Sequence, residues 1–168
     1  MKDGYLLGLD IGSSSVKAAL VQVSTGKAVV SIQSPAEEMP MLAMRPGWAE
    51  QDPELWWQHV VLAVRQCLQR SGVSGSSVMA IGIAYQMHGL VVVDKSMKAL
   101  RQAIIWCDSR AVPYGEKAFE ELGEEYCLTR LLNSPGNFTA SKLKWVKENE
   151  PKIFEQIHKI MLPGDYLS

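Results

Sequence analysis

Gly8-Leu9-Asp10-Ile11-Gly12-Ser13-Ser14-Ser15-Val16-Lys17 ends one apolar run and opens another. Tyr5 to Ile11 is mostly apolar, Gly12 and the serines interrupt it, and Val16 to Val23 resumes it, which predicts two strands paired as a hairpin. Gly12 permits the positive φ that tight turns often require and leaves room for a ligand beside the main chain. Successive N–H groups around Ser13 and Ser14 then form a concavity suited to an anion, with serine hydroxyls as added donors. Asp10 fits beside a phosphate only if a hard cation lies between them, so the acid points to Mg²⁺ held through carboxylate and water. Glycine and serine between strands also make an ordinary hairpin, and the bare pattern leaves both readings standing. A Walker-type loop and a glycine-rich dinucleotide fingerprint are both absent.

At 168 residues the chain suits one domain with a core of its own. Seventeen basic against eighteen acidic residues leave a formal charge of −1, so no basic field gathers nucleic acid or anionic lipid. Cys67, Cys107 and Cys127 are far apart and lack zinc spacing, which predicts buried thiols in a reducing cytoplasm. Asp3 follows the first lysine at once and Asp10 interrupts the only early apolar run, against a signal peptide. No stretch approaches a membrane span, and no linker or repeat divides the chain. Oligomeric state is not legible, a homodimer being one option.

Lys27 to Ser34 supplies a third strand, turned from the second at Thr25-Gly26-Lys27, giving an antiparallel meander. Pro35 to Pro46 is a loop whose Met39, Met41 and Met44 are expected to anchor it on the core. Asp52-Pro53-Glu54 starts a helix with Trp57, Val61, Val64 and Leu68 on one buried face, ended at Ser71-Gly72. Val78 to Ala84 reads as a buried strand parallel to the first. Ligands collect beyond the carboxyl ends of such strands, where Tyr85-Gln86-Met87-His88-Gly89 lies. Gln86 and His88 have polar tips suited to hydroxyls, and Gly89 lets the chain turn; a lone histidine is also commonly structural.

Leu90 to Val93 and Ala103 to Trp106 predict a hairpin around Asp94-Lys95-Ser96. At its end Trp106 can pack on the apolar face of a ligand, while Asp108 either accepts from ligand hydroxyls or caps the helix begun near Pro113, and Arg110 can pair with that acid. Tyr114, Ala118, Leu122 and Tyr126 form one helical stripe; Leu143, Trp145 and Val146 form another, broken at Glu150-Pro151. Lys159 to Leu162 is a last strand. The order predicts an α/β fold: a mixed sheet of three antiparallel strands followed by parallel strands, with flanking helices.

Asp10-Ile11-Gly12-Ser13-Ser14 with Lys17 resembles the first phosphate loop of the actin, hexokinase and Hsp70 superfamily, which has a ribonuclease H-like fold. Pro46-Gly47-Trp48-Ala49-Glu50-Gln51-Asp52-Pro53, Gln86-Met87-His88-Gly89, Ile105-Trp106-Cys107-Asp108-Ser109-Arg110, Gly136-Asn137-Phe138-Thr139-Ala140-Ser141-Lys142-Leu143 and Leu162-Pro163-Gly164-Asp165-Tyr166-Leu167 resemble the FGGY carbohydrate kinases, most of all the xylulokinase branch. The resemblance implies that residues 1–168 are an incomplete amino-terminal sugar-binding domain, with the nucleotide-binding domain and a catalytic aspartate beyond Ser168. It implies ATP and Mg²⁺ as cofactors and transfer of a phosphoryl group to a ketopentose such as D-xylulose. Asp10 would organise the metal, Gly12, Ser13, Ser14 and Lys17 would meet the nucleotide phosphates, and Gln86, Met87, His88, Trp106 and Asp108 would hold the sugar. The chain alone is then expected to be inactive. Gluconate, glycerol or another polyol is the alternative substrate, and an ATP-sensing domain of the actin and Hsp70 kind is the alternative without catalysis.

Overall fold

The computed structural model describes residues 4–168 and divides them into two compact units. The first comprises 4–40, Glu54–Gln86 and Leu167; the second comprises Met41–Pro53, Met87–Tyr166 and Ser168. The undivided domain expected from the sequence thus subdivides. The crossings at Pro40-Met41, Pro53-Glu54 and Gln86-Met87 leave no Gly- or Ser-rich tract to mark them.

In the first unit, β1 (Tyr5–Ile11), β2 (Val16–Gln22) and β3 (Ala28–Ser34) form the expected meander, and β5 (Val78–Tyr85) adds to β1 in parallel. The sheet order is β3-β2-β1-β5, with one parallel pair. Period-two alternation sends Leu7, Leu9, Ile11, Val16, Ala18, Leu20 and Ile32 to a buried face. Leu6, Asp10 and Lys17 face the other way and are exposed. β5 was expected to be buried, yet Met79 and Ile81 on this edge strand are 72% and 60% exposed.

Between β3 and β5 runs α1 (Pro53–Ser71), started by proline and Glu54 and stopped at Gly72, whose φ of 68° suits glycine. Its buried stripe is Trp56, Val60, Ala63 and Cys67, one residue before the stripe read from sequence. Both stripes are apolar with the same 4-3-4 spacing, so periodicity does not separate them. The Cys67 thiol donates to the Ala18 carbonyl at 3.2 Å, and the His59 ring and Ser34 hydroxyl share a hydrogen bond of 2.9 Å. Trp57 is 45% exposed. Of the three loop methionines only Met39 anchors: it is buried, and its amide donates to the Ser14 carbonyl at 2.8 Å, whereas Met41 and Met44 are exposed.

The second unit is built from short pieces. β4 (Glu50–Gln51) pairs antiparallel with β7 (Ala103–Ile104), and β6 (Val91–Val93) pairs with β8 (Lys159–Met161). Leu90 and Ile104 exchange main-chain hydrogen bonds of 2.8 and 3.1 Å, linking the two ladders. The expected hairpin survives as a turn, in which the Asp94 carboxylate accepts from the Ser96 and Lys98 amides at 2.8 and 3.0 Å. The strands on either side take their main partners from distant segments. The expected last strand, β8, joins β6 rather than the four-stranded sheet.

The helices are α2 (Val112–Leu122), α3 (Glu124–Tyr126) with a π-helical turn at Cys127–Leu131, α4 (Thr139–Asn149), α5 (Pro151–Phe154) and α6 (Pro163–Leu167). Val146 on α4 is buried against Leu90, Val92 and Ile104, with Leu143 and Trp145 packed beside it. The stripe of α2 and α3 is only partly covered, since Leu122 and Tyr126 are half exposed. Gly115 is buried where α2 meets Pro135 and Gly136, and a Cβ there would strike their main chain. Cys67 and Cys127 are buried as expected; Cys107 is exposed. No helix among the described residues is long and apolar enough to cross a membrane.

Trp56→Ala should therefore destabilise the protein by about 3–5 kcal/mol, the usual cost of emptying a fully buried aromatic site. Trp57→Ala should cost under about 1 kcal/mol. Urea unfolding of the two variants checks the rotation of α1 directly, and equal losses would contradict it.

Candidate functional sites

The bend after β1 lies in the first unit. Asp10 stands opposite Lys17 in the β1–β2 register, and their charged tips are 3.8 Å apart with both side chains more than half exposed. At that exposure the pair adds little stability and leaves the carboxylate open to other ligands. Gly12 donates to the Ser15 carbonyl at 3.0 Å and closes the turn. Its φ is not positive, and a Cβ would make a tight 3.2 Å approach to the Ser15 oxygen. Gly12 and Ser13 are partly exposed, Ser14 is exposed and Ser15 is buried. The bend is therefore reachable from solvent at Gly12, Ser13 and Ser14. No group of three or more metal-ligating side chains exists among the described residues. A single open carboxylate beside an open turn fits Mg²⁺, which commonly takes one or two carboxylates and completes its shell with water and phosphate oxygens.

Gln86 ends this unit just past β5, with its amide donating to the Ile11 carbonyl at 2.9 Å. Both polar atoms of its side chain are buried without a hydrogen-bond partner among the described residues. Such an amide is costly to leave unpaired, which suits a group awaiting a hydroxyl.

The remaining sugar-site candidates lie in the second unit. Met87 is 65% exposed. His88 adopts φ 60°, a left-handed conformation uncommon outside glycine, and its ring stacks on Phe138 with centroids 4.8 Å apart and planes 17° apart. The sharp turn expected at Gly89 is thus made by His88. Gly89 serves close packing instead, because a Cβ there would lie 2.6 Å from Pro163 at the start of α6. Burial, helped by the neighbouring Lys142 charge, pulls the His88 imidazole below its usual pKa of 6.5, so it is neutral at pH 7. A neutral ring offers one donor and one acceptor, the complement of a sugar hydroxyl. Trp106 is 47% exposed, and its carbonyl accepts from the Asn137 amide.

Asp108 is placed differently from a sugar ligand. It is wholly buried, with Oδ2 accepting from the Ala49 amide at 2.6 Å and from Arg110 Nη2 at 2.7 Å, and Oδ1 accepting from the Arg110 amide at 2.9 Å and its Nε at 3.0 Å. It does not cap α2 either, whose N-cap is Ala111. Pairing with Arg110 is what the structure shows. Arg110 Nη1 also lies 2.6 Å from Glu50, which binds Arg101 as well, and Arg101 reaches Glu150 at 2.9 Å. The Arg110 guanidinium sits 3.8 Å from the Trp48 ring centroid and 4.9 Å from that of Trp145. The Pro46–Pro53 and Ile105–Arg110 motifs are thereby clamped together, so their joint presence reflects a shared scaffold.

Two residues of the Gly136–Leu143 block had no role assigned from sequence. Phe138 stacks on His88, and Lys142, wholly buried, donates to the His88 carbonyl. The available signal was spacing: Lys142 lies one helical turn before Val146, on the face of α4 that enters the core.

The description "FGGY family of carbohydrate kinases, N-terminal domain" matches residues 5–168. The chain is 39% identical over 163 residues to a xylulose kinase of Klebsiella pneumoniae, covering 96% of this chain and 32% of that protein. Among solved structures, a xyloylose kinase from Brucella ovis superposes with a TM-score of 0.86 at 34% identity, over 97% of this chain and 33% of that one. A gluconate kinase from Lactobacillus acidophilus superposes with a TM-score of 0.84 at 25% identity, over 99% and 32%. The chain thus spans about a third of the length of the relatives it matches, and its fold is that of the actin, hexokinase and Hsp70 superfamily.

Asp108→Asn should lower stability by about 1–3 kcal/mol, since Arg110 keeps Glu50 as a counter-charge but buried donors lose an acceptor. Thermal or urea unfolding measures the loss; a variant as stable as the parent would show that Asp108 is not structural.

Proposed function

Because the chain belongs to the FGGY family of carbohydrate kinases, we propose that it contributes the sugar site and the first phosphate loop to an enzyme phosphorylating a ketopentose with ATP, D-xylulose foremost. The observation that carries this reading is the open carboxylate of Asp10 beside the solvent-facing bend at Gly12 to Ser14. Phosphoryl transfer asks little covalent chemistry of a protein and much placement of charge. Asp10 would hold Mg²⁺, which neutralises negative charge on the nucleotide phosphates. Main-chain N–H groups of the bend, the Ser13 and Ser14 hydroxyls and Lys17 would steady the phosphates. Met87, the neutral His88 and the Trp106 face would hold the sugar, and their contribution is orientation. Asp108 would act from behind, through the main-chain contacts it fixes. The base that takes the hydroxyl proton would come from residues outside this chain.

Likeness to a gluconate kinase raises a sugar acid as a second reading. A carboxylate substrate needs a cation to meet it. In the second unit most of the buried positive charge is already matched: Lys142 by carbonyls, Arg110 by acids, and Arg101 by Glu50 and Glu150, although its Nη1 keeps no hydrogen-bond partner among the described residues. That favours a neutral polyol or ketose.

ADP release by the complete gene product, assayed with D-xylulose, glycerol and gluconate, tests the proposal. D-xylulose is expected to give the highest kcat/KM by at least about tenfold, since a hydroxyl-matched site discriminates strongly. Preference for gluconate would overturn the choice of substrate, and no turnover of any of them would overturn the kinase reading. Asp10→Ala should reduce kcat by about a hundredfold or more with the sugar KM within about threefold, as expected for a group acting in the transition state. The 168-residue chain assayed alone should release no ADP above a protein-free control.

A further inference from the structure

Lys142 on α4 is wholly buried, an expensive place for an ammonium unless all three of its N–H donors find acceptors. They do: Nζ donates to the His88 carbonyl at 2.9 Å, to the Asn137 carbonyl at 2.7 Å and to Asn137 Oδ1 at 2.8 Å. The same Asn137 side chain donates through Nδ2 to the Trp106 carbonyl. The next residue, Phe138, supplies the ring on which His88 stacks, and Thr139 donates to the Gly89 carbonyl at 3.3 Å. One buried charge therefore joins the main chain of His88 to the loop that also holds Trp106. A histidine stays at φ 60° only where its surroundings over-determine it, and the Lys142 bond to its carbonyl is a direct constraint of that kind.

We propose that Lys142 is a positioning residue for the sugar: its ammonium locks the left-handed His88 peptide and, through Asn137, the Trp106 carbonyl, so that imidazole and indole are presented in one fixed arrangement. The inference rests on the sugar-kinase reading above. It assigns Lys142 no contact with substrate and no proton transfer.

The charge on Lys142 is also within reach of ordinary assay conditions. Burial lowers its pKa to about 8; Asp108 and Cys107 oppose the fall and Arg110 adds to it. The other titratable neighbour is His88, neutral in this range. Below pH 8 the ammonium serves three acceptors with three donors. Above it the neutral amine has two donors, and one carbonyl is released. Sugar affinity should therefore weaken as pH rises through about 8.

The test is steady-state kinetics of the complete gene product with D-xylulose and ATP varied in turn. Lys142→Met should raise the D-xylulose KM about tenfold or more, with the ATP KM within about twofold and kcat within about threefold, because the loss is of sugar placement. In the unsubstituted protein the D-xylulose KM should climb above pH 8 while the ATP KM stays level. Lys142→Arg, which remains charged throughout, should flatten that climb. A folded Lys142→Met with unchanged KM for both substrates, or with kcat alone reduced, would overturn the proposal and leave Lys142 a packing residue. Should Lys142→Met fail to fold, the parent pH profile decides: a rise confined to the sugar KM supports the positioning role, and its absence rejects it. If the parent turns over no D-xylulose, the functional reading fails and this inference with it, an outcome distinct from an active parent with an indifferent variant.

Discussion

A guanidinium gripped by two carboxylates and laid against two indoles holds the second unit together. Arg110 meets Asp108 and Glu50 with its edges and Trp48 and Trp145 with its face, the two directions in which a planar cation attracts partners. Buried ion pairs seldom add much net stability, because desolvation offsets most of the attraction. What this one does is fix register. Asp108 also accepts from the Ala49 amide, and Ser109 donates from its amide to the Gly47 carbonyl at 2.8 Å, so segments some sixty positions apart are set side by side at a single offset. Gly47 takes φ 79°, and a side chain there would collide with Ser109; glycine is needed on both counts.

The consequence runs outward from that clamp. Trp106 immediately precedes the clamped turn, and its carbonyl is tied to Asn137, so the indole inherits a rigid base although its ring is exposed. His88 is held from the other side by Lys142 and Phe138. The side chains that would meet a sugar are therefore few and partly exposed, and they are fixed by the buried Lys142 and the half-buried Asn137 and Phe138. In the first unit the logic differs. The bend after β1 is held by backbone bonds to Ser15 and Met39, and Asp10 by β-pairing and an exposed ion pair with Lys17.

The sequence was most legible where structure is local. β1 to β3 follow from period-two alternation broken by glycine and polar turns, and α1 from Pro53 and Gly72 at its ends. The buried face of α1 was misread by one residue, because Trp56-Trp57 and Val60-Val61 offer two apolar stripes and only the sheet beneath chooses between them. The pairings of β4 with β7 and β6 with β8 join segments more than fifty positions apart, and strands of two or three residues carry too little pattern to announce such partners. Asp108 looked like a binding group because its type suits hydroxyls; burial, which composition does not disclose, made it a scaffold acid. Lys142 escaped for the converse reason, since a lysine on a helix ordinarily faces water. His88 was singled out by its position after a parallel strand and by the resemblance of Gln86–Gly89, whereas its left-handed backbone had no signature.

One feature of the four-stranded sheet bears on handling the protein. Its outer strand β5 presents Met79 and Ile81 to solvent along an unshielded margin, without the lysines or prolines that usually discourage chains from zipping together. Preparations of the 168-residue polypeptide by itself would then cloud and sediment more readily as they are concentrated, through edge-to-edge pairing at Val78–Tyr85.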